Sequence, residues 1–146
     1  MRKIKELPLK TIEVNGRNVS FIESGSGPVL FLMHGIGGNS RSWTKQFEGL
    51  TSKYRIIAWD APGYGDSELR KSNLADYVAA AAGLLAALGV ERVNVLGHSM
   101  GGVIAQGLAG LRTIELDKLI LSSTCLLYTS DAADEGLGVD LGGRRI

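Results

Sequence analysis

A serine flanked by two glycines is the residue of this sequence best placed to do chemistry. The motif G-H-S-M-G at residues 97–101 follows an apolar run at residues 93–96 and precedes a helical pattern. A serine on such a sharp strand-to-helix turn presents its hydroxyl above the sheet edge, where it can attack a carbonyl carbon. Gly97 and Gly101 leave room for the neighbouring backbone. The spacing therefore indicates nucleophilic catalysis by Ser99.

A glycine-rich loop earlier in the chain could complete that chemistry. Residues 34–38 read H-G-I-G-G and directly follow the apolar run V-L-F-L-M at residues 29–33. Acyl transfer needs two N–H donors for the developing oxyanion, one after the nucleophile and one on a loop of this kind. We therefore expect the backbone N–H groups of Ile36 and Met100 to form an oxyanion hole.

The groups that would activate Ser99 are missing from this sequence. Its two histidines, His34 and His98, precede Ser99, whereas a serine in a strand, G-x-S-x-G, helix arrangement is followed along the chain by its acid and then its histidine. The first acids downstream, Glu115 and Asp117, stand just before a predicted strand, at the end of the sheet away from Ser99. We therefore expect an incomplete triad and an inactive chain.

The elements that would position these residues alternate between strands and helices. The predicted strands are 11–14, 17–23, 29–33, 54–59, 93–96 and 119–122, and the predicted helices are 40–50, 74–88 and 100–111. Asn15 and Gly16 predict a tight hairpin turn between the first two strands. Asn73 is the predicted N-cap of the second helix. The later alternation predicts a mainly parallel α/β sheet with right-handed crossovers.

The C-terminal residues of the chain resemble the translation of an artificial DNA sequence. Residues 125–135 read C-L-L-Y-T-S-D-A-A-D-E, and residues 139–146 read V-D-L-G-G-R-R-I. Both match the in-frame translation of a transposon-based sequencing-library adapter, with a sample index between them. Segments of this origin are excluded from fold reasoning. We expect residues 1–123 to be the N-terminal part of a domain and residues 124–146 to be a non-native adapter-encoded tail.

Composition and charge exclude several classes of function. Hydrophobic residues make up 45% of the chain and charged residues 21%, and the net charge is +1. Without a basic block, neither nucleic acid nor an anionic membrane is an expected partner. The N-terminus has no apolar signal segment and no run is long enough to cross a bilayer, so we expect a cytoplasmic protein. We expect neither a metal nor a cofactor.

Three motifs in this order resemble the α/β-hydrolase superfamily, particularly its esterase and 3-oxoadipate enol-lactonase branch. They are H-G-I-G-G at residues 34–38, W-D-A-P-G-Y-G-D-S at residues 59–67 and G-H-S-M-G-G at residues 97–102. The resemblance spans residues 10–123. It implies the α/β-hydrolase fold with an N-terminal antiparallel hairpin, truncated after about the sixth strand. It also implies structural roles for Asp60 and Asp66, because the acid of this family follows the nucleophile.

The resemblance implies a serine hydrolase of carboxylic esters, thioesters or lactones that acts on a small molecule through an acyl-enzyme at Ser99. Two alternatives use the same fold: a cofactor-free lyase or haloperoxidase, and a non-catalytic ligand-binding protein. An aspartate at position 99 would have indicated a dehalogenase or an epoxide hydrolase, and the serine argues against both. An acid and a histidine later in the full gene would favour the hydrolase over the ligand-binding protein.

Overall fold

The sheet combines an N-terminal hairpin with parallel strands. The computed structural model describes residues 3–69 and 73–126. Its strands are β1 (Lys10–Val14), β2 (Arg17–Ser24), β3 (Val29–Met33), β4 (Arg55–Trp59), β5 (Arg92–His98) and β6 (Glu115–Ser122), and its α-helices are α1 (Thr44–Leu50), α2 (Leu74–Ala87) and α3 (Met100–Leu111). The strands form one sheet in the order β1-β2-β4-β3-β5-β6. The predicted mainly parallel sheet with an antiparallel hairpin is confirmed.

The hairpin turns at two residues with a left-handed backbone. Asn15 and Gly16 have φ angles of 52° and 80°, and a type I′ turn requires positive φ at both central positions. Asparagine and glycine adopt this region at lower cost than other residues, so the predicted turn forms here. It pairs Val14 with Arg17. β2 then pairs antiparallel with β4, which joins the hairpin to the parallel strands.

β3 lies inside the sheet and is buried on both faces. Phe31 and Met33 belong to one core, which they share with residues of α2 and α3. Leu30 and Leu32 belong to a second core on the other face, which includes Phe47 of α1. A parallel strand covered by helices on both sides must be apolar on both sides. The continuous apolar run of β3 has this cause.

Asparagine side chains cap the first turns of two helical segments. The Asn73 side chain accepts a hydrogen bond from the Asp76 N–H at 2.8 Å, which confirms the predicted cap of α2. The segment predicted as one helix over residues 40–50 differs, because Ser40–Trp43 forms a 3-10 turn before α1 begins. The Asn39 side chain accepts the Arg41 N–H at 2.8 Å and thereby caps this tighter turn.

β6 begins earlier than its apolar pattern predicted. Glu115 and Asp117 lie within the strand, not before it. Asp117 accepts a hydrogen bond from the Arg92 side chain on β5 at 2.7 Å, so a charged pair across the strands replaces apolar packing. Both acids still lie at the end of the sheet away from Ser99, because β5 and β6 are parallel and Arg92 pairs with Glu115.

The first residues after β6 pack against the start of α3. The Thr124 hydroxyl donates to the Ser99 carbonyl at 2.6 Å, and the Gln106 amide donates to the Cys125 carbonyl at 2.7 Å. Residues 127–146, most of the predicted adapter-encoded tail, lie outside the described residues. In the described part of the chain, no helix combines the length and apolar character needed to cross a bilayer.

Candidate active site

Ser99 occupies a strained turn between β5 and α3. Its φ and ψ angles are 53° and −118°, a region that costs a non-glycine residue on the order of 1–3 kcal/mol. Hydrogen bonds on both sides hold it there. The Ser99 N–H donates to the Ser122 carbonyl at 2.9 Å, and the Gly102 N–H donates to the Ser99 carbonyl at 2.9 Å. The surrounding backbone therefore fixes the serine at the C-terminal edge of the sheet.

Gly101 allows α3 to begin directly against the sheet. A Cβ atom at this position would lie 2.0 Å from the carbonyl oxygen of Met33 and 2.6 Å from that of His34. Both are backbone atoms of another segment, which cannot rotate away as a side chain can. Only glycine lets the start of α3 approach the end of β3 so closely.

The glycine-rich loop after β3 lies against Ser99. A Cβ atom added to Gly35 would be 2.9 Å from the Ser99 Cβ and 3.4 Å from its Oγ. Ile36 follows with a side chain that is 79% exposed. Met100 is the first residue of α3, where backbone N–H groups have no partner within the helix. The fold thus brings Ile36, Ser99 and Met100 to one edge of the sheet, and all three line one cavity.

Neither histidine forms a hydrogen bond with Ser99. His34 is 2% exposed. Its Nδ1 lies 2.8 Å from the Gly35 carbonyl, and its Nε2 accepts the Ala61 N–H at 3.0 Å. Burial lowers the pKa of His34, although the Gly35 carbonyl and Asp60 oppose this effect. The ring is therefore neutral at neutral pH, with Nδ1 as its donor, and joins two loops.

The His98 ring is hydrogen-bonded to Ser122 of β6 and not to Ser99. Its Nδ1 lies 3.2 Å from the hydroxyl of Ser122 on β6. The Ser99 hydroxyl itself has no hydrogen-bond partner among the described residues. A general base for Ser99 is thus absent from the part of the chain that the structure describes, and the sequence contains no third histidine.

Asp60 is buried behind the site, where its hydrogen bonds connect several segments of the chain. Its carboxylate accepts the Ser40 N–H at 2.7 Å and the Ser20 hydroxyl. The Ser67 hydroxyl donates to the Asp60 carbonyl at 2.6 Å. Asp60 is 1% exposed, so it has no access to a substrate, whereas Asp66 is exposed. These contacts give Asp60 the structural role that was predicted.

Two cavities meet at Ser99. The first, which we call the apolar pocket, has a volume of about 480 Å³ and is lined by Ile36, Tyr64, Leu74, Tyr77, Ser99, Met100, Val103, Ile104, Ser123, Thr124 and Cys125. The second has a volume of about 400 Å³ and is lined by His34, Gly35, Ile36, Gly37, Gly38, Ser42, Trp43, His98 and Ser99. The described residues contain no cluster of acids, histidines or cysteines suited to a metal ion.

Two tyrosines of the apolar pocket were missed by the sequence analysis. Tyr64 lies in the loop after β4, and its ring centre is 5.0 Å from that of His34. Tyr77 lies in the first turn of α2. The available signal was the position of Tyr64 beyond the carboxyl end of a parallel strand, where ligands bind in α/β sheets. Tyr77 carried no such signal, because a helix face reveals its neighbours only after packing.

Comparison with known families decides the class of this fold. The family model described as the alpha/beta hydrolase fold matches residues 28–141. The chain belongs to this family. An epoxide hydrolase structure from Vigna radiata superposes with a TM-score of 0.78 at 30% identity, over 86% of this chain and 42% of that one.

Curated relatives have different activities. The chain is 35% identical over 106 residues to (E)-2-((N-methylformamido)methylene)succinate hydrolase of Acinetobacter baylyi, covering 70% of this chain and 40% of the relative. It is 32% identical over 136 residues to the dihydrolipoyllysine-residue acetyltransferase component of the acetoin cleaving system of Pseudomonas putida, covering 90% and 34%. The chain thus spans about two-fifths of the length of the hydrolases to which it is similar.

Proposed function

We propose that Ser99 is the nucleophile of a hydrolase of carboxylic esters, thioesters or lactones. The proposal rests mainly on one observation: a serine held at φ 53° and ψ −118° at the start of α3. That strain is maintained by surrounding backbone and places the hydroxyl at the N-terminal end of a helix dipole. The close approach of Gly35 to Ser99 supports the same assignment.

The proposed reaction passes through an acyl-enzyme. The Ser99 oxygen attacks the substrate carbonyl, and the carbonyl oxygen becomes an oxyanion that accepts hydrogen bonds from the Ile36 and Met100 N–H groups. The alcohol or thiol of an ester or thioester then leaves with a proton, whereas the protonated alcohol of an opened lactone stays attached to the acyl group. Water then hydrolyses the acyl group from Ser99. Preorganised N–H donors of this kind typically contribute a factor of about 10²–10³ each.

The same chemistry predicts that residues 1–146 by themselves are inactive. A base must take the proton from Ser99 and return it to the leaving group. His34 is occupied by the Gly35 carbonyl and the Ala61 N–H, and His98 lies beside Ser122. Loss of the base costs on the order of 10⁴-fold or more in rate in related sites.

Epoxide hydrolysis, the activity named for several structural neighbours, fits Ser99 poorly. Attack of a serine hydroxyl on an epoxide carbon would leave an ether, which water does not readily cleave. Attack on an ester, thioester or lactone leaves an ester on the serine, which water does cleave. The side chain at position 99 therefore favours acyl transfer.

Labelling with a fluorophosphonate tests Ser99 without a substrate. The serine oxygen displaces fluoride from phosphorus, and added imidazole supplies a base, because neither His34 nor His98 forms a hydrogen bond with Ser99. We expect slow labelling that imidazole accelerates, with the adduct on Ser99 in peptide mass spectra. Ser123→Ala is the matched control, because it removes another hydroxyl of the apolar pocket and should label normally. A Ser99→Ala variant that labels at the wild-type rate would refute the proposal.

We also propose that residues 124–146 are an adapter-encoded tail, as their amino-acid sequence indicates. The support is the match of residues 125–135 and 139–146 to a translated adapter. An independent read of the source DNA, made with a different library chemistry, should depart from C-L-L-Y-T-S-D-A-A-D-E after residue 123. A read that continues into that string would show that the tail is native.

A further inference from the structure

The apolar pocket beside Ser99 has a mainly apolar and uncharged lining. The loops after β3 and β4, together with α2 and α3, line it with Ile36, Tyr64, Leu74, Tyr77, Met100 and Val103. The segment after β6 completes the lining with Ser123, Thr124 and Cys125, and the last two belong to the proposed tail, so only the walls that precede the tail bear on substrate specificity. None of its described lining residues carries a charge. A volume of about 480 Å³ lies within the range of pockets that enclose a small organic group.

The two tyrosines of this pocket differ in the state of their hydroxyls. The Tyr64 hydroxyl donates to the Met100 sulfur at 3.8 Å. The Tyr77 hydroxyl has no hydrogen-bond partner among the described residues. Burial, together with the nearby Tyr64, raises the pKa of Tyr77, so this hydroxyl stays protonated at neutral pH. Tyr77 can therefore donate to a ligand, whereas Tyr64 would first have to leave Met100.

An anionic ligand would be disfavoured in this setting. The mainly apolar side chains that line the pocket penalise a carboxylate placed among them, because they cannot replace its hydration. The described lining residues provide no cation to offset that penalty. One phenol hydrogen bond does not replace the hydration shell of a carboxylate.

We propose that the pocket takes an uncharged, mainly apolar acyl group that carries a hydrogen-bond acceptor, and that Tyr77 determines this specificity by donating to the acceptor. The inference rests on the proposed function, because Ser99 is what makes this cavity a substrate site. It separates this chain from its Acinetobacter baylyi relative, whose name specifies a succinate.

Three amides of matched length test the proposal, because amides resist hydrolysis. Hexanamide is neutral and apolar, 5-oxohexanamide adds a distal acceptor, and adipamate ends in a carboxylate. Dissociation constants come from ligand-observed NMR with dilute protein. We expect 5-oxohexanamide to bind about three- to tenfold more tightly than hexanamide, and adipamate to bind at least about tenfold more weakly than hexanamide.

Two conservative variants identify the donor. Tyr77→Phe should abolish the advantage of 5-oxohexanamide over hexanamide, whereas Tyr64→Phe, the matched control in the same pocket, should preserve it. Adipamate binding as tight as that of hexanamide would overturn the proposal, as would failure of hexanamide to bind. An equal affinity of the two neutral amides, or an advantage that survives in Tyr77→Phe, would overturn the role of Tyr77.

The binding assay is independent of the chemical step. Ser99→Ala should retain the order of the three affinities, because the discriminating contacts are made by the pocket walls. If the fluorophosphonate labels Ser99 but the protein binds adipamate more tightly than hexanamide, only the proposed substrate class is refuted. If the protein binds hexanamide more tightly than adipamate but Ser99 is not labelled, the acyl-enzyme is refuted and a pocket selective for neutral ligands remains.

Discussion

Replacing Gly101 by alanine tests the packing that places Ser99. The added Cβ would lie 2.0 Å from the Met33 carbonyl oxygen, about 1 Å closer than a packed core accommodates without shifting. The obstructing atom belongs to the backbone of β3, so relief requires α3 to move away from the sheet. Ser99 is joined directly to α3 and would move with it.

The expected cost follows from two opposing effects. Overpacking of a core typically costs about 1–3 kcal/mol, and a backbone clash belongs at the upper end of that range. Replacing glycine by alanine inside a helix raises the free energy of unfolding by about 0.5–1 kcal/mol, because alanine has the higher helix propensity. We therefore expect Gly101→Ala to lower the free energy of unfolding by about 2 kcal/mol, a large part of the 5–15 kcal/mol typical of a domain.

Gly110→Ala is the matched control on the same helix. Its added Cβ would meet no atom within 4 Å, so only the gain of about 0.5–1 kcal/mol in helix propensity applies. Urea unfolding of dilute protein, followed by the fluorescence of the buried Trp43 and Trp59, measures both variants. A Gly101→Ala midpoint at or above that of Gly110→Ala would refute the packing argument.

Three further perturbations test the buried Asp60, the buried His34 and the exposed Ile120 on the edge strand. Asp60→Asn should cost about 1–3 kcal/mol, because an amide NH₂ would face a donor from Ser40 or Ser20; an unchanged urea midpoint would contradict this. Because burial lowers the pKa of His34, the folded state favours the neutral ring. Its contribution to stability is present above about pH 6.5 and is lost as the pH falls through the lowered pKa, by at most about 1.4 kcal/mol per pH unit. Melting temperatures between about pH 8 and pH 5 should fall less for His34→Gln than for wild type, and identical slopes would argue against a buried neutral imidazole. Ile120 is 47% exposed on the edge strand β6, so wild type should self-associate in light scattering and Ile120→Lys should reduce it; a monomeric wild type at the same concentration would contradict this.

Local chemistry explains why several features could be predicted from sequence. Asn15 and Gly16 adopt the left-handed backbone that a two-residue hairpin requires. Asn73 caps α2 through a residue three positions away. The turn at Ser99 follows from its neighbours, because a Cβ atom at Gly97 would lie 2.4 Å from the carbonyl oxygen of Gly101. Each of these depends mainly on residues near in sequence or on a backbone restriction of the residue itself.

Other features depended on how distant segments pack. The start of β6 was misplaced because its first half pairs with β5 through the backbone and carries exposed charged side chains, among them Asp117 beside Arg92, so it has no apolar pattern. The role of His34 was equally hidden, since its Nε2 partner is the Ala61 N–H at the end of another strand.

The sequence by itself determined the strand-helix alternation, the hairpin and the serine turn of this α/β-hydrolase chain. Only the tertiary structure decided that β4 lies between β2 and β3, and that Tyr64 and Tyr77 face the same pocket as Ser99. The physical reason is that backbone preferences act over a few residues and leave a pattern in the sequence. The order of strands and the walls of a cavity are decided by which buried surfaces pack together, and residues far apart in the chain contribute to both.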